Sequence, residues 1–128
     1  MLLPKFTRLE LQVMDALWKK GRLSIREIQE SFPKRARPVY TTIQTTVYRL
    51  EERGAIRRAK KISNAHIFEA VVSRETAGRR LLDEILSVFE GKAEPVMAHL
   101  VESGKLTADD VRSVEKLIEE LDQKKPEK

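Results

Sequence analysis

The segment PVYTTIQTTVYRLEERG, residues 38–54, decides the fold because it combines a helical core stripe with an unusual surface. Ile43, Val47 and Leu50 follow the i, i+4, i+7 spacing of one buried helix face. Threonine and glutamine are prominent on the other faces, although threonine is a mediocre helix former. Gly54 then supplies the left-handed cap that ends many helices. The segment therefore predicts a helix whose outer surface contacts a partner.

Two helices are predicted before this segment. Each begins with the Ser/Thr-x-x-Glu signature of a capping box, formed by Thr7 with Glu10 and by Ser24 with Glu27. Apolar residues at helical spacing follow both signatures, and Pro33 ends the second helix. The sequence therefore predicts three successive helices.

A change of period after Gly54 predicts a β-hairpin. The segments AIRRAKKI (55–62) and HIFEAVV (66–72) are rich in β-branched and aromatic residues, and SNA (63–65) between them is a turn signal. Three helices followed by a basic hairpin describe a winged helix-turn-helix. We therefore predict a mainly α fold with a small β-hairpin, in which residues 1–72 form a winged-helix DNA-binding domain.

The pattern of residues 73–128 predicts three helices, each with an apolar stripe. A frayed tail, DQKKPEK (122–128), follows them. A region shorter than roughly 70 residues rarely has a self-sufficient core. The simplest partner for its stripes is a second copy of the chain, and the alternative is that the helices fold back on the N-terminal domain. The predicted dimer interface consists of Leu82, Ile85, Leu86, Phe89, Val96, Leu100, Val114, Leu117, Ile118 and Leu121.

The charge is distributed unevenly along the chain. Residues 1–72 hold 15 Lys and Arg against 7 Asp and Glu, a net charge of +8. Residues 73–128 hold 10 against 13, a net charge of −3, and the whole chain is at +5. This asymmetry is expected when the N-terminal half alone faces a polyanion.

The composition excludes several classes of protein. The absence of cysteine excludes disulfide frameworks, thiolate metal sites and cysteine nucleophiles. No apolar run exceeds three residues and MLLPKFTRLE lacks the apolar core of a signal peptide, so we expect a cytoplasmic protein without direct membrane association. His66 and His99 have no neighbouring ligands at metal-site spacing, and no phosphate-binding glycine loop or nucleophile motif is present. We therefore predict no enzyme activity, no metal and no cofactor.

Binding to double-stranded DNA fits the residues better. Glutamine can pair bidentately with adenine, and threonine can hydrogen-bond a base or a phosphate while its methyl group contacts thymine. The predicted base-reading residues are Thr41, Thr42, Gln44 and Thr45. The predicted phosphate-contacting residues are Arg35, Arg37, Arg49, Arg58, Lys60 and Lys61. Tyr48 lies on the same exposed side without an assigned role.

Three segments carry a resemblance to a known family: FTRLELQVMDALWKKG, VYTTIQTTVYRLEERGAI and RRAKKISNAHIFEAVV. Together they resemble the bacterial penicillinase and methicillin-resistance repressors, a family that includes copper-responsive relatives. The resemblance extends over about residues 7–121. It implies a dimeric winged-helix repressor that binds an inverted-repeat operator, with dimer helices over residues 74–121. The family's DNA-reading positions correspond to the four base-reading residues above, and some members have lysine where this chain has Thr41.

The resemblance also bears on induction. In antibiotic-responsive members, a membrane sensor metalloprotease leads to cleavage of an Asn-Phe bond, but this chain has His99 followed by Leu100 there. That difference speaks against a sensor protease as a partner. The copper-responsive members use a cysteine-based tail, which this chain lacks.

We therefore predict a homodimeric transcriptional repressor that binds an inverted-repeat operator through its third helix. Two alternatives remain open from the sequence: a winged-helix module that binds proteins, and a nonspecific architectural DNA-binding protein.

Overall fold

The computed structural model describes residues 5–124, which form six α-helices and one β-hairpin. A 3-10 turn at Lys34–Ala36 precedes the third helix. The elements are α1 (Arg8–Lys20), α2 (Ile25–Glu30), α3 (Tyr40–Glu52), β1 (Ile56–Ile62), β2 (Ala65–Ala70), α4 (Arg74–Val88), α5 (Glu94–Glu102) and α6 (Ala108–Lys124). The element order and type agree with the sequence prediction.

Both predicted capping boxes are present at the helix starts. The backbone N–H of Thr7 donates to Glu10 Oε1 at 2.8 Å, and the N–H of Glu10 donates to Thr7 Oγ1 at 3.2 Å. Ser24 and Glu27 repeat the arrangement at the start of α2, with distances of 2.9 and 3.2 Å. These reciprocal bonds satisfy N–H groups that the first turn of a helix leaves free, and so fix where α1 and α2 begin.

The hydrophobic core of the N-terminal part of the chain lies between α1, α2, α3 and the hairpin. The predicted stripe of Ile43, Val47 and Leu50 is fully buried there, as predicted. Its largest fully buried neighbours are Val13, Met14, Leu17, Ile28, Ile56 and Phe68. At the end of α3, Gly54 takes a φ of +82°, the left-handed conformation expected of the cap. Because this core holds one side of α3 rigidly, the opposite side has a fixed orientation.

The hairpin is antiparallel and irregular. Its register shifts between Arg58 and Lys60, and its turn covers residues 63–64. A bridge that the sequence did not predict joins Leu23 to Phe68, with N–H···O distances of 3.0 and 2.8 Å. β2 ends at Ala70, so the strand predicted to continue to residue 72 is too long. Val72 turns inward instead and is buried in the core.

The first compact unit ends at Leu82 and the second begins at Asp83, inside α4. The division of function between residues 1–72 and 73–128 stays a prediction. The start of α4 belongs to the first unit because Ala77 is buried in its core. Arg74 Nη2 also pairs with Asp15 Oδ1 of α1 at 2.8 Å.

In the second unit, α5 and α6 contain no buried residue among those that the structure describes. Of the predicted dimer-interface residues, Leu86, Val96 and Leu100 are half-buried, and the others are exposed: Leu82, Ile85, Phe89, Val114, Leu117, Ile118 and Leu121. Residues 122–124 of the tail predicted to fray belong to α6, and residues 125–128 lie outside the described part.

Candidate nucleic-acid interface

The outward side of α3 presents the four predicted base-reading residues together. Thr41, Thr42 and Thr45 are exposed, and Gln44 is half-buried. All four lie in the N-terminal half of the helix, opposite the buried stripe of Ile43, Val47 and Leu50. We call these four residues the polar face of α3. Its side chains are short or flexible and carry hydrogen-bond donors and acceptors without a formal charge.

The fourth threonine of the helix, Thr46, belongs to the core instead. It is buried, and its Oγ1 donates to the backbone carbonyl of Thr42 at 2.8 Å. This internal bond satisfies the hydroxyl without a partner outside the helix. A sequence signal for this role existed, because Thr46 lies three residues after Ile43 and four before Leu50, on the apolar stripe.

A chain of contacts runs from the polar face to the hairpin. Gln44 Nε2 donates to Tyr48 Oη at 3.3 Å, one helical turn further along. The guanidinium carbon of Arg58 lies 5.6 Å from the centre of the Tyr48 ring and 5.5 Å from that of Phe68. The same guanidinium donates to both carboxylate oxygens of Glu51, at 2.8 and 3.3 Å. Tyr48, which had no assigned role, therefore joins α3 to β1.

Four of the predicted phosphate-contacting residues are exposed, and none of them forms an ion pair within residues 5–124: Arg35, Arg49, Lys60 and Lys61. Arg35 belongs to the 3-10 turn before α3, and Arg49 lies in the last turn of α3. Lys60 and Lys61 follow the irregularity in β1. Cations thus flank the polar face from the preceding turn, the end of the helix and the hairpin.

Arg37 and Arg58 differ from these four because both have internal partners. Arg37 donates to the carbonyl oxygen of Phe32 at 3.1 and 2.9 Å and to that of Glu30 at 2.9 Å. The carbonyls at the end of α2 need such donors because they have no partner within the helix. Arg58 is held by Glu51. These guanidinium groups have partners within the protein, and their assignment as phosphate contacts stays a prediction.

The base of the hairpin carries another charged cluster. Glu69 accepts from Arg57 Nε at 2.6 Å and from Arg22 Nε at 2.9 Å. The hydrogen bond from Arg57, followed by that from Arg22, holds the pKa of the Glu69 carboxyl below its usual value. Arg57 therefore pairs across the two strands of the hairpin, whereas Arg22 joins the hairpin to the loop before α2, and both guanidinium groups have a partner.

A groove of about 340 Å³ lies between the start of α2, the helix α3 and the hairpin turn. Beside Gln44 and Tyr48 it is lined by Arg26, Asn64 and His66, which the sequence did not assign to the site. Asn64 is in the hairpin turn, which is the one sequence signal that could have placed it there. Across the residues described, no group of His, Cys, Asp or Glu is suited to hold a metal ion. Among the helices of this part of the chain, none combines the length and apolarity needed to cross a membrane.

The sequence of this chain is similar to the sequences of known proteins. The sequence model of the penicillinase repressor family matches residues 6–120. Two relatives, both named transcriptional regulator BlaI and from the CDC 1551 and H37Rv strains of Mycobacterium tuberculosis, are 27% identical to this chain. Each alignment covers 92% of this chain and 88% of the relative. These relatives are regulators of transcription and not enzymes.

The architecture of this chain is similar to that of solved structures of other proteins. A mutant of MarR from E. coli has a TM-score of 0.50 and 14% identity, over 91% of this chain and 78% of that one. The monomeric form of Bacillus licheniformis BlaI, solved with the blaP half-operator, has a TM-score of 0.49 and 24% identity. That match covers 59% of this chain and 90% of the other. At these identities the MarR likeness concerns the fold alone.

Proposed function

Because the chain belongs to the penicillinase repressor family and is a DNA-binding transcriptional repressor, we propose that it acts as a homodimer on an inverted-repeat operator. In this proposal the polar face of α3 enters the major groove, and the hairpin lies along the phosphate backbone. The observation that carries it is the polar face itself: exposed Thr41, Thr42 and Thr45 with Gln44, on a helix whose other side is fully buried.

The chemistry of the polar face suits base recognition. The amide of Gln44 can donate to adenine N7 and accept from adenine N6, a bidentate contact that no other base offers in that geometry. The threonine methyl groups can contact the thymine methyl group in the same groove. Short side chains at Thr41, Thr42 and Thr45 also allow the helix backbone to approach the base edges closely.

The flanking cations provide the sequence-independent part of the affinity. Arg35, Arg49, Lys60 and Lys61 are the phosphate contacts that we propose, because their charges are not neutralised by an ion pair in residues 5–124. If the dimer neutralises about six phosphates, log K should fall with log salt at a slope near roughly −5. Lys61→Ala should weaken binding to every sequence similarly and make this slope shallower by about one for each site lost.

The exposed apolar residues of α4, α5 and α6 support the dimer. Val114, Leu117, Ile118 and Leu121 follow one stripe along α6, and all four are exposed. A monomer rarely exposes a contiguous apolar patch of this kind, whereas a two-fold dimer buries the same patch of both copies together. Such a dimer presents two copies of α3 to half-sites about 34 Å apart, or a multiple of that distance.

Induction by a sensor protease is not part of this proposal. The bond between His99 and Leu100 lies inside helix α5, and proteases cleave backbone that is locally unfolded. The residues at the bond also differ from the Asn-Phe pair of the antibiotic-responsive members. We place the protein in the cytoplasm, where it has access to DNA.

The test is selection of bound duplexes from random-sequence DNA, followed by affinity measurement on the selected sequence. The proposal expects an inverted repeat, with protein and DNA in a ratio of two chains to one duplex. Selection of a single non-repeated site, or of no common sequence, would contradict it. The first outcome would overturn the two-fold dimer, and the second would favour a nonspecific DNA-binding protein or a module that binds proteins.

A further inference from the structure

We propose that Tyr48 is a positioning residue that fixes the orientation of the Gln44 amide, so that base preference depends on a side chain that contacts no base. This inference rests on the proposed function, in which Gln44 contacts a base. It assigns a role to the tyrosine that the sequence left without one.

The contact between the two side chains is direct. Gln44 Nε2 donates to Tyr48 Oη at 3.3 Å, and the four-residue spacing places both on one side of α3. The amide group of glutamine has a donor at one end and an acceptor at the other, and its terminal torsion is broad. In this structure Tyr48 Oη accepts from Nε2, and this bond holds the amide at one setting of that torsion.

Tyr48 can fix Gln44 because Tyr48 is itself held. Its ring lies 5.6 Å from the guanidinium carbon of Arg58, and that guanidinium lies 5.5 Å from the ring of buried Phe68. Glu51 accepts two hydrogen bonds from the same guanidinium, which sets its plane. The contacts thus run from Gln44 on the polar face through Tyr48 to Arg58 on the hairpin, and Glu51 of α3 holds Arg58.

The orientation matters because adenine presents a donor and an acceptor side by side. Bidentate pairing requires the glutamine donor at N7 and its acceptor at N6. When Tyr48 Oη accepts one of the two N–H groups of Gln44, the other N–H and the amide oxygen remain for the base. An amide that is not held in place would have to be ordered on binding, which lowers the affinity for adenine. The difference in affinity between adenine and the other bases would then be smaller.

The experiment is a double-mutant cycle with Tyr48→Phe and Gln44→Ala. Each protein is tested on the selected duplex and on a set of duplexes that each carry one base-pair change. The readout is the ratio of the affinity for the selected duplex to the affinity for each changed duplex. The base pair contacted by Gln44 is the one whose ratio changes in Gln44→Ala. We expect Tyr48→Phe to reduce that ratio roughly two- to tenfold, the range for one hydrogen bond. In the Gln44→Ala background, Tyr48→Phe should have no further effect.

Tyr40→Phe is the matched control. Tyr40 is also an exposed tyrosine of α3 and lies under an arginine, with Arg26 at 5.7 Å from its ring centre, but its hydroxyl makes no hydrogen bond to Gln44. The control should leave the ratio at this base pair unchanged. Thermal unfolding of Tyr48→Phe should match the wild type, because the hydroxyl that is removed is exposed.

Three results would overturn the inference. If Tyr48→Phe leaves the ratio unchanged while Gln44→Ala reduces it, the proposed function stands and the positioning role fails. If Tyr48→Phe has the same effect with and without Gln44, the tyrosine contacts DNA directly. If Gln44→Ala changes no base preference, base contact by Gln44 and the inference fail together.

Discussion

The indole Nε1 of Trp18 donates to the carbonyl oxygen of Val72 at 2.9 Å, which joins α1 to the chain 54 positions later, just after the hairpin. Val72 is 8% exposed, so its carbonyl has little access to water as an alternative donor. The Trp18 ring also lies 5.0 Å from the guanidinium carbon of Arg74, which begins α4. These contacts extend the first unit beyond the hairpin.

Trp18→Phe should destabilise the protein by about 1–3 kcal/mol, because it keeps the aromatic packing but leaves the Val72 carbonyl without its donor. Urea unfolding at one fixed protein concentration measures this change. Arg79→Ala is the control, since Arg79 is exposed and makes a surface pair with Glu75; it should cost less than about 0.5 kcal/mol. Equal unfolding midpoints for Trp18→Phe and the wild type would argue against the role of this bond.

Thr45→Ala and Thr46→Ala should affect different properties, although the residues are adjacent: the first should lower DNA affinity and the second should lower stability. Thr46 is buried, so its truncation should lower the free energy of unfolding by about 1 kcal/mol, with DNA affinity retained by the folded protein. Thr45 is exposed, so its truncation should reduce affinity for the selected duplex with little loss of stability. Unfolding and binding titrations on both variants test the pair. Similar effects of the two changes on both quantities would contradict the assignment.

Glu69→Gln should make stability less dependent on acid pH. The pKa of Glu69 is lowered below 4.5 in the folded protein by hydrogen bonds from Arg57 and then Arg22. A lowered pKa in the folded state gives stability that is present above the unfolded-state value and is lost as the pH falls through the folded-state value. The stability difference between wild type and variant should therefore be constant near neutral pH and shrink below about pH 4.5. Urea unfolding between pH 7 and pH 3 measures it, and a difference that stays constant or widens in acid would refute this account of Glu69.

Leu117→Glu should convert the proposed dimer into a monomer, because it places a charge within the apolar stripe of α6, where Leu117 is 54% exposed. Sedimentation equilibrium should give the mass of two chains for the wild type and of one for the variant. The control is Glu120→Lys, a charge change at an exposed residue of the same helix that lies outside the predicted interface. A monomeric wild type, or a variant that remains dimeric, would count against this interface.

The features that the sequence predicted correctly depend on residues close together along the chain. Thr7 and Glu10 form a capping box within one turn, and Ile43, Val47 and Leu50 form a stripe within two. Such patterns are complete in the sequence, because the helix alone brings the residues together. The winged-helix order of elements could therefore be predicted from the sequence.

The features that it missed depend on partners far along the chain. No local signal pairs Leu23 with Phe68 or Trp18 with Val72, and both contacts form when the core assembles. Arg37 resembles any other exposed cation in sequence until the carbonyls of α2 are seen beside it. For the candidate site, the polar face was therefore predictable from the period of α3. The separation of free cations from engaged ones required the tertiary structure.

In the proposed function the polar face of α3 recognises bases, and the relative affinity for two duplexes tests this recognition most directly. The double variant Thr41→Ala/Gln44→Ala is compared with wild type on the selected duplex and on a scrambled duplex of equal composition. Lys60→Ala/Lys61→Ala is the matched control, which should weaken both duplexes alike. We predict that the double variant loses at least about tenfold affinity for the selected duplex, while its affinity for the scrambled duplex is unchanged. Equal losses on both duplexes, or no loss on either, would contradict this recognition.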